Sequence, residues 1–117
     1  MWPPRFSDCI EACTAARRSC EHLIIAGLAQ PDVDRVASVI VVGRDCARIA
    51  TVTSNLLERG SKYAYPLCDV CAQACTELAK ACDKHPKIDA FVRCAEACRK
   101  SAEECGKLVK LKKGHKA

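Results

Sequence analysis

The sequence predicts an all-α fold: one domain over residues 1–117, an up-down-up-down antiparallel four-helix bundle with a cysteine-lined core. Three observations carry that prediction. Turn-forming residues interrupt the 117-residue chain at Gln30-Pro31-Asp32, Gly60-Ser61 and His85-Pro86, which leaves four long segments. The spacing C-x3-C-x6-C occurs at Cys9/Cys13/Cys20, at Cys71/Cys75/Cys82 and at Cys94/Cys98/Cys105, each time in a different segment. At about 100° per residue, steps of four and eleven residues return to within about 40° of the starting direction, so each copy makes one narrow stripe on a helix.

The first helix is predicted over about 7–29. Pro3-Pro4 precedes it, and Asp8 with Glu11 three residues on reads as a capping box. The second is predicted over 32–59, with Gly60 as its stop. Val36 and the run Val39 to Val42 would suit a strand, but Arg44 to Glu58 keep helical spacing without a turn signal, so the whole segment reads as helix. The third is predicted over 62–84, with Ser61 as its cap and Pro66 in its first turn. The fourth is predicted over 87–108, fraying after Gly106 into a basic tail over 107–117. Four helices of this length joined by short loops make an up-and-down bundle.

Composition narrows the function. Large rings are few (Trp2, Phe6, Tyr63, Tyr65 and Phe91), whereas cysteines number 11. Many cysteines in a short secreted chain usually form a disulfide framework, and in a cytosolic chain they bind metal or do redox work. The stretch from Met1 to Glu11 lacks an apolar signal core, and the longest apolar run, Val36 to Gly43, is too short to span a membrane. A cytoplasmic protein with no membrane partner is therefore expected. The odd cysteine count would also leave one thiol over in an all-disulfide scheme. Most of the net charge of +5 sits in Lys107, Lys110, Lys112, Lys113 and Lys116. No aromatic residue is interleaved with these lysines, so they read as a solvated tail and not as a nucleic-acid surface.

In a bundle the cysteine stripe faces the centre. Cys68 lies about 60° from Cys71 on the same face. The second helix carries a degenerate copy, Val42/Cys46/Thr53, within a seam of Val39, Val42, Ile49, Ala50 and Leu57. Ala16 and Leu78 fill seam places on the first and third helices. All eleven cysteines then project into one core. Cysteine as a small buried hydrophobe would explain Cys46 alone, but not three matching registers. Within a helix, Cβ atoms four residues apart are about 5–6 Å apart. A disulfide needs about 3.5–4.5 Å, so the C-x3-C pairs cannot close within a helix. Bridges between helices, in a thiol-redox or structural protein, stay open as an alternative.

Soft thiolates select copper(I), zinc or iron–sulfur clusters. Zinc sites favour paired C-x2-C knuckles, and only Cys68/Cys71 has that spacing. Iron–sulfur proteins hold their cysteines in local runs, not along helices. Copper(I) accepts two or three sulfurs, so a C-x3-C pair can hold one ion and successive pairs can make a row. Zinc and iron–sulfur binding remain alternatives. Without metal the thiols should be protonated, since unpaired buried charge is very costly, and metal uptake must release protons. His85, three residues after Cys82, lies about 60° from it on the cysteine side. It reads either as a ligand where copper enters or as a helix-end histidine. His22 points away from the stripe, and His115 falls in the tail. No catalytic motif stands out: Cys68-Asp69-Val70-Cys71 lacks the βαβ setting of a redox C-x2-C. Glu77, Glu96, Glu103 and Glu104 read as surface residues, and no E-x-x-H is present for a di-iron site. An enzyme is not expected.

The segments C9IEAC13, C68DVC71AQAC75 and C94AEAC98 resemble the bacterial copper storage proteins and related cysteine-rich four-helix-bundle proteins. The resemblance covers Cys9 to Cys105. It implies a bundle holding several copper(I) ions on Cys9, Cys13, Cys20, Cys46, Cys68, Cys71, Cys75, Cys82, Cys94, Cys98 and Cys105, with His85 as a further candidate. It also implies a cytosolic homotetramer, with a copper chaperone or a client enzyme as partner if the metal is not simply detoxified. High-capacity members carry more cysteines over all four helices. Here the second helix has only Cys46, Ala16, Leu78 and Ser101 take places where cysteine could stand, and Met1 is the only methionine. A smaller store is implied, about one copper per two cysteines.

Overall fold

Helix α1 runs Pro4–Leu28, α2 Ala37–Glu58, α3 Ala64–Asp83 and α4 Asp89–Gly114, in a computed structural model that describes residues 4–114. No strand occurs among the described residues. Each helix packs on the next, and α4 returns to α1, so the four make a closed antiparallel ring. The rod measures 53 × 21 × 18 Å. No helix among the described residues is long and apolar enough to cross a membrane.

The helix limits correct the sequence reading at four places. Helix α1 begins at Pro4, so Asp8 lies inside it and is not its cap. Proline suits a first turn, where its missing N–H costs nothing. Phe6 then anchors the added turn: it is buried and meets Tyr65 edge-on at 6.1 Å. The segment expected to open the second helix at residue 32 forms instead a short 3-10 turn, Val33–Arg35, and α2 starts only at Ala37. Val36, with φ −114° and ψ 2°, breaks the helix while sinking into the core. Helix α4 starts at Asp89, after a turn in which Ile88 N–H donates to the His85 carbonyl at 3.2 Å. It does not fray after Gly106 but continues to Gly114. Leu108 is fully buried, Val109 and Leu111 lean on the core, and the Lys112 ammonium sits 5.3 Å from the centre of the Tyr65 ring. The lysines expected in a tail thus ride on an amphipathic helix as far as the description goes. His115 and Lys116 lie outside the described residues.

The reading of Gly60 as a stop holds. Gly60 has φ +65°, with Gly60 N–H bonded to the Leu57 carbonyl at 3.1 Å and Ser61 N–H to the Leu56 carbonyl at 3.0 Å. That pair of bonds is the Schellman closure, which favours glycine at the left-handed position. Pro66 stands in the first turn of α3, but Ser61 is not its cap: Tyr63 holds that place without a side-chain bond, and Ser61 Oγ accepts from Tyr63 N–H at 3.1 Å in the turn before the helix.

Helices α1 and α2 approach closely because two glycines face them. A Cβ on Gly27 would fall 2.8 Å from Ile40 Cγ1, and one on Gly43 would fall 2.9 Å from Leu23 Cδ2. This approach brings the single cysteine of α2 toward the others.

Candidate metal centre

All eleven cysteines are free thiols, and none is more than 1% exposed. Helices α1, α3 and α4 each direct a cysteine stripe at the bundle axis. Helix α2 presents Val39, Gly43, Cys46, Ala50, Thr53 and Leu57 there, while Val42 and Ile49 from the expected seam stay only half-buried. Thr53 holds the place of a third cysteine in the degenerate copy. Its hydroxyl donates to the Ile49 carbonyl at 2.7 Å, so its hydrogen-bonding need is met inside the helix.

The antiparallel pairing of α1 with α4 stacks the sulfurs in layers. Cys9 Sγ is 3.6 Å from Cys105 Sγ, Cys13 Sγ is 3.8 Å from Cys105 Sγ, and Cys20 Sγ is 3.9 Å from Cys94 Sγ. Cys94 and Cys98 are 3.8 Å apart on α4. From the other side Cys46 reaches Cys75 at 3.5 Å. Three groups bring their sulfurs within 4.8 Å of one another: Cys9/Cys13/Cys105, Cys20/Cys94/Cys98 and Cys46/Cys75/Cys98. All are buried, and the last two share Cys98. Cys68, Cys71 and Cys82 complete none of these trios. Cys68 and Cys71 adjoin Cys105, and Cys82 adjoins Cys94.

These separations exceed the sulfur–sulfur bond of about 2.0 Å, so the core holds thiols in van der Waals contact and not bridges. Their chemistry follows from crowding. Cys98 is pushed far above the usual thiol range by its hydrogen bonding with Cys20, Cys46, Cys75 and Cys94, and burial adds to this. Cys105 is pushed up in the same way among Cys13, Cys68, Cys71 and Cys9. Their neighbours divide: Cys9, Cys20, Cys75 and Cys82 are also pushed up, and four others move down. Cys46 and Cys94 are lowered first by Cys20, and Cys71 is lowered first by Cys105. Cys68, lowered first by Cys105 and then by Cys9, falls to about 5. Crowding thus spreads the proton affinities of neighbouring thiols widely within one buried core. A soft cation entering such a set replaces protons with a positive charge that every sulfur can share.

Ser101 takes part in this network. It is fully buried on α4, its Oγ 3.7 Å from Cys13 Sγ and 3.8 Å from Cys71 Sγ. Its place three residues beyond Cys98 was visible in the stripe, but its contact with sulfurs on two other helices was not.

His85 lies just beyond α3, half-buried, with its N–H bonded to the Cys82 carbonyl at 2.9 Å and its ring edge-on to Phe91 at 5.6 Å. It completes none of the three sulfur groups. It lines a cleft of about 480 Å³ at that end of the bundle, with Arg35, Val36, Lys84 and Ile88. His22 is exposed, as are Glu77, Glu96 and Glu103. Glu104 corrects the sequence reading: it is only 6% exposed, between Lys100 at 3.2 Å and Lys107 at 3.1 Å. Burial works to raise its carboxyl, but the hydrogen bonds from Lys107 and Lys100 outweigh that and hold it below the usual range.

The family model described as copper storage protein matches residues 3–110 of this chain. Solved structures agree. Copper storage protein 3 from Bacillus subtilis, in its apo form, is 29% identical with a TM-score of 0.81, over 86% of this chain and 95% of its own. A cytosolic copper storage protein from Streptomyces lividans, with five coppers, is 28% identical with a TM-score of 0.87, over 91% of this chain and 92% of its own. A protein from Nitrosospira multiformis is 28% identical with a TM-score of 0.80, over 92% of this chain and 96% of its own. Among curated proteins none matches significantly.

Proposed function

This chain belongs to the copper storage protein family, and from that premise we propose that it stores several copper(I) ions on the thiolates of its bundle core. The observation that carries the proposal is the set of three buried trios, each made of cysteine sulfurs alone and each within 4.8 Å. Three convergent buried sulfurs suit a soft monovalent cation, and the role proposed is storage without catalysis. The ligands proposed are the eleven cysteines. His85, placed beside Cys82 at the cleft, is proposed as the group that copper meets on its way in. A cytosolic site of action is proposed because the Streptomyces lividans relative is a cytosolic protein. A copper chaperone or client enzyme is the proposed exchange partner.

Titration of the fully reduced protein with copper(I) against a competing chelator tests this. About five ions per chain are expected at one ion per two thiols. Uptake of fewer than two would sink the storage reading.

A homotetramer is also proposed, and the outer faces support self-association. Of the exposed large apolar side chains, Ile25, Leu28, Val41 and Val52 all lie on α1 and α2. Glu21, Arg44, Asp45 and Arg48 flank a groove there with Ile24 and Val41. Among the described residues, the ion pairs other than Asp32 with Arg35 in the α1–α2 connection lie on α3 and α4, among them Asp83 with Arg99, Asp89 with Arg93, and Glu104 with Lys100 and Lys107. A self-complementary face of balanced charge around an apolar strip suits a two-fold contact. Val41→Glu is expected to lower the sedimenting mass while leaving copper capacity unchanged. A variant that sediments like the parent would exclude this face.

A further inference from the structure

The cleft beside His85 carries the wrong sign for the mouth of a cation store. Two loops build it, one between α1 and α2 and one between α3 and α4. Val36, which is buried, and Ile88 give it an apolar wall. Arg35 lines it from the first loop, and Lys84 and Lys87 from the second. The one carboxylate among its lining residues, Asp32, is 3.9 Å from Arg35. Among the described residues no ion pair engages Lys84 or Lys87, while Asp83 and Asp89 close by are held by Arg99 and Arg93. Two helix C-termini and two helix N-termini meet at this end, so the backbone dipoles offset one another and the side chains set the sign. The lysines in the last turns of α4 stand at the other end of a rod 53 Å long. Physiological salt screens charges over about 8 Å, so those lysines do not act here.

Such a rim repels a bare monovalent cation. Copper(I) is soft, however, and where thiols are present it is held by thiolates. One copper(I) on two thiolates is an anion. Resting on the copper reading above, we propose that copper reaches this cleft as an anionic copper(I)–thiolate complex, docked by Arg35, Lys84 and Lys87, and not as the free ion. His85 stands against the same wall, and Cys82, three residues before it, is the core thiol of α3 nearest the cleft in sequence. In the exchange a bond from copper to a carrier sulfur breaks as a bond to a protein sulfur forms. The proton of the protein thiol goes to the departing carrier thiolate, and neither copper nor sulfur changes oxidation state.

The test uses two carriers with the same sulfur ligation and opposite net charge. Copper(I) in excess thioglycolate is an anionic complex, and copper(I) in excess cysteamine is a cationic one. Uptake by the reduced protein is timed without oxygen, by native mass spectrometry of samples desalted at set intervals. Lys84→Glu/Lys87→Glu is compared with the parent, and Lys62→Glu/Lys110→Glu makes the same change of net charge at the far end. At low salt the cleft variant is expected to take copper from thioglycolate about tenfold more slowly than the parent, and from cysteamine faster. The far-end variant should match the parent with both carriers. The parent alone gives a second reading: added salt should slow its uptake from thioglycolate and speed its uptake from cysteamine. If the cleft variant keeps the parental rate with thioglycolate, or slows alike with both carriers, or if salt acts in the opposite sense, anionic docking is overturned while copper storage stands. Equal slowing by the far-end variant overturns the assignment to this cleft. A parent that takes copper from neither carrier overturns the storage reading itself.

Discussion

Loading with copper(I) is expected to raise the thermal midpoint of the reduced protein by tens of degrees, and the stabilisation should grow as pH rises from neutral toward 9. The size follows from mass action. One ion at a free concentration a thousand times its dissociation constant adds about 4 kcal/mol, and this core has several sites. In a domain near this size 1 kcal/mol moves the midpoint by about 4 °C, so two ions already give about 30 °C. Binding of copper to cysteines of the unfolded chain trims this gain without cancelling it, because only the fold brings three sulfurs within 4.8 Å.

The pH dependence separates the two forms above pH 9. In the apo protein Cys9, Cys20, Cys75, Cys82, Cys98 and Cys105 are all raised above the ordinary value of 9.0, by hydrogen bonds with neighbouring thiols and by burial. A raised folded value means that the folded state keeps protons the unfolded chain gives up. Their contribution is full below pH 9 and is lost above it. Cys46, Cys68, Cys71 and Cys94 are lowered, so their contribution is full above pH 9 and is lost as pH falls below it. The apo protein should therefore weaken above pH 9. In the loaded protein the ligands carry copper in place of protons, while the unfolded thiols still bind protons below pH 9. Its stability should climb to that point and then level. Thermal melts of both forms from pH 6 to 10.5 check this. Parallel curves for the two forms would show that the thiols are not the groups that exchange protons for copper.

The cysteine core was legible because cysteine is distinctive and the helix repeat is regular. C-x3-C-x6-C on three segments leaves one geometry, and every cysteine it contains is buried. Gly60 was legible for a similar reason, since few residues accept a positive φ. What escaped the sequence depends on contacts between helices. Asp8 and Glu11 look like a cap, yet Phe6 meeting Tyr65 draws α1 back to Pro4. Gly106 and the lysines look like an end, yet Leu108 and Leu111 carry α4 onward over the core. Glu104 reads as one more surface acid, and only the flanking Lys100 and Lys107 make its burial tolerable. The contact of Ser101 with Cys13 on α1 and Cys71 on α3 is likewise set between helices. No single-helix pattern holds that register.

The second large effect is expected at Phe91, which no cysteine pattern singles out. Phe91 is the largest of the fully buried side chains, and it stands one turn before Cys94 on α4. Its ring covers the end of the bundle that holds Cys20, Cys82 and Cys94. It reaches within 3.5 Å of the Cβ position at Gly27 and meets His85 edge-on. Its neighbours are smaller than its ring, among them Ile40 beside the same Gly27 position, so Phe91→Ala leaves a cavity that they fill only in part. The cost should sit at the upper part of the usual 3–5 kcal/mol for such a change. That is a large share of the 5–15 kcal/mol that holds a domain together. Apo Phe91→Ala should melt about 15 °C below the parent. With the plug gone, Cys82 and Cys94 should react with a thiol reagent several times faster in the native state, while Cys9 and Cys68 at the far end keep the parental rate. Copper loading should restore most of the lost midpoint, because the ions tie α1, α3 and α4 together at the same end. A loss below 1 kcal/mol, or equal acceleration at both ends, would show that Phe91 neither supports nor closes that end. Faster copper uptake by the variant would locate the way in beside His85.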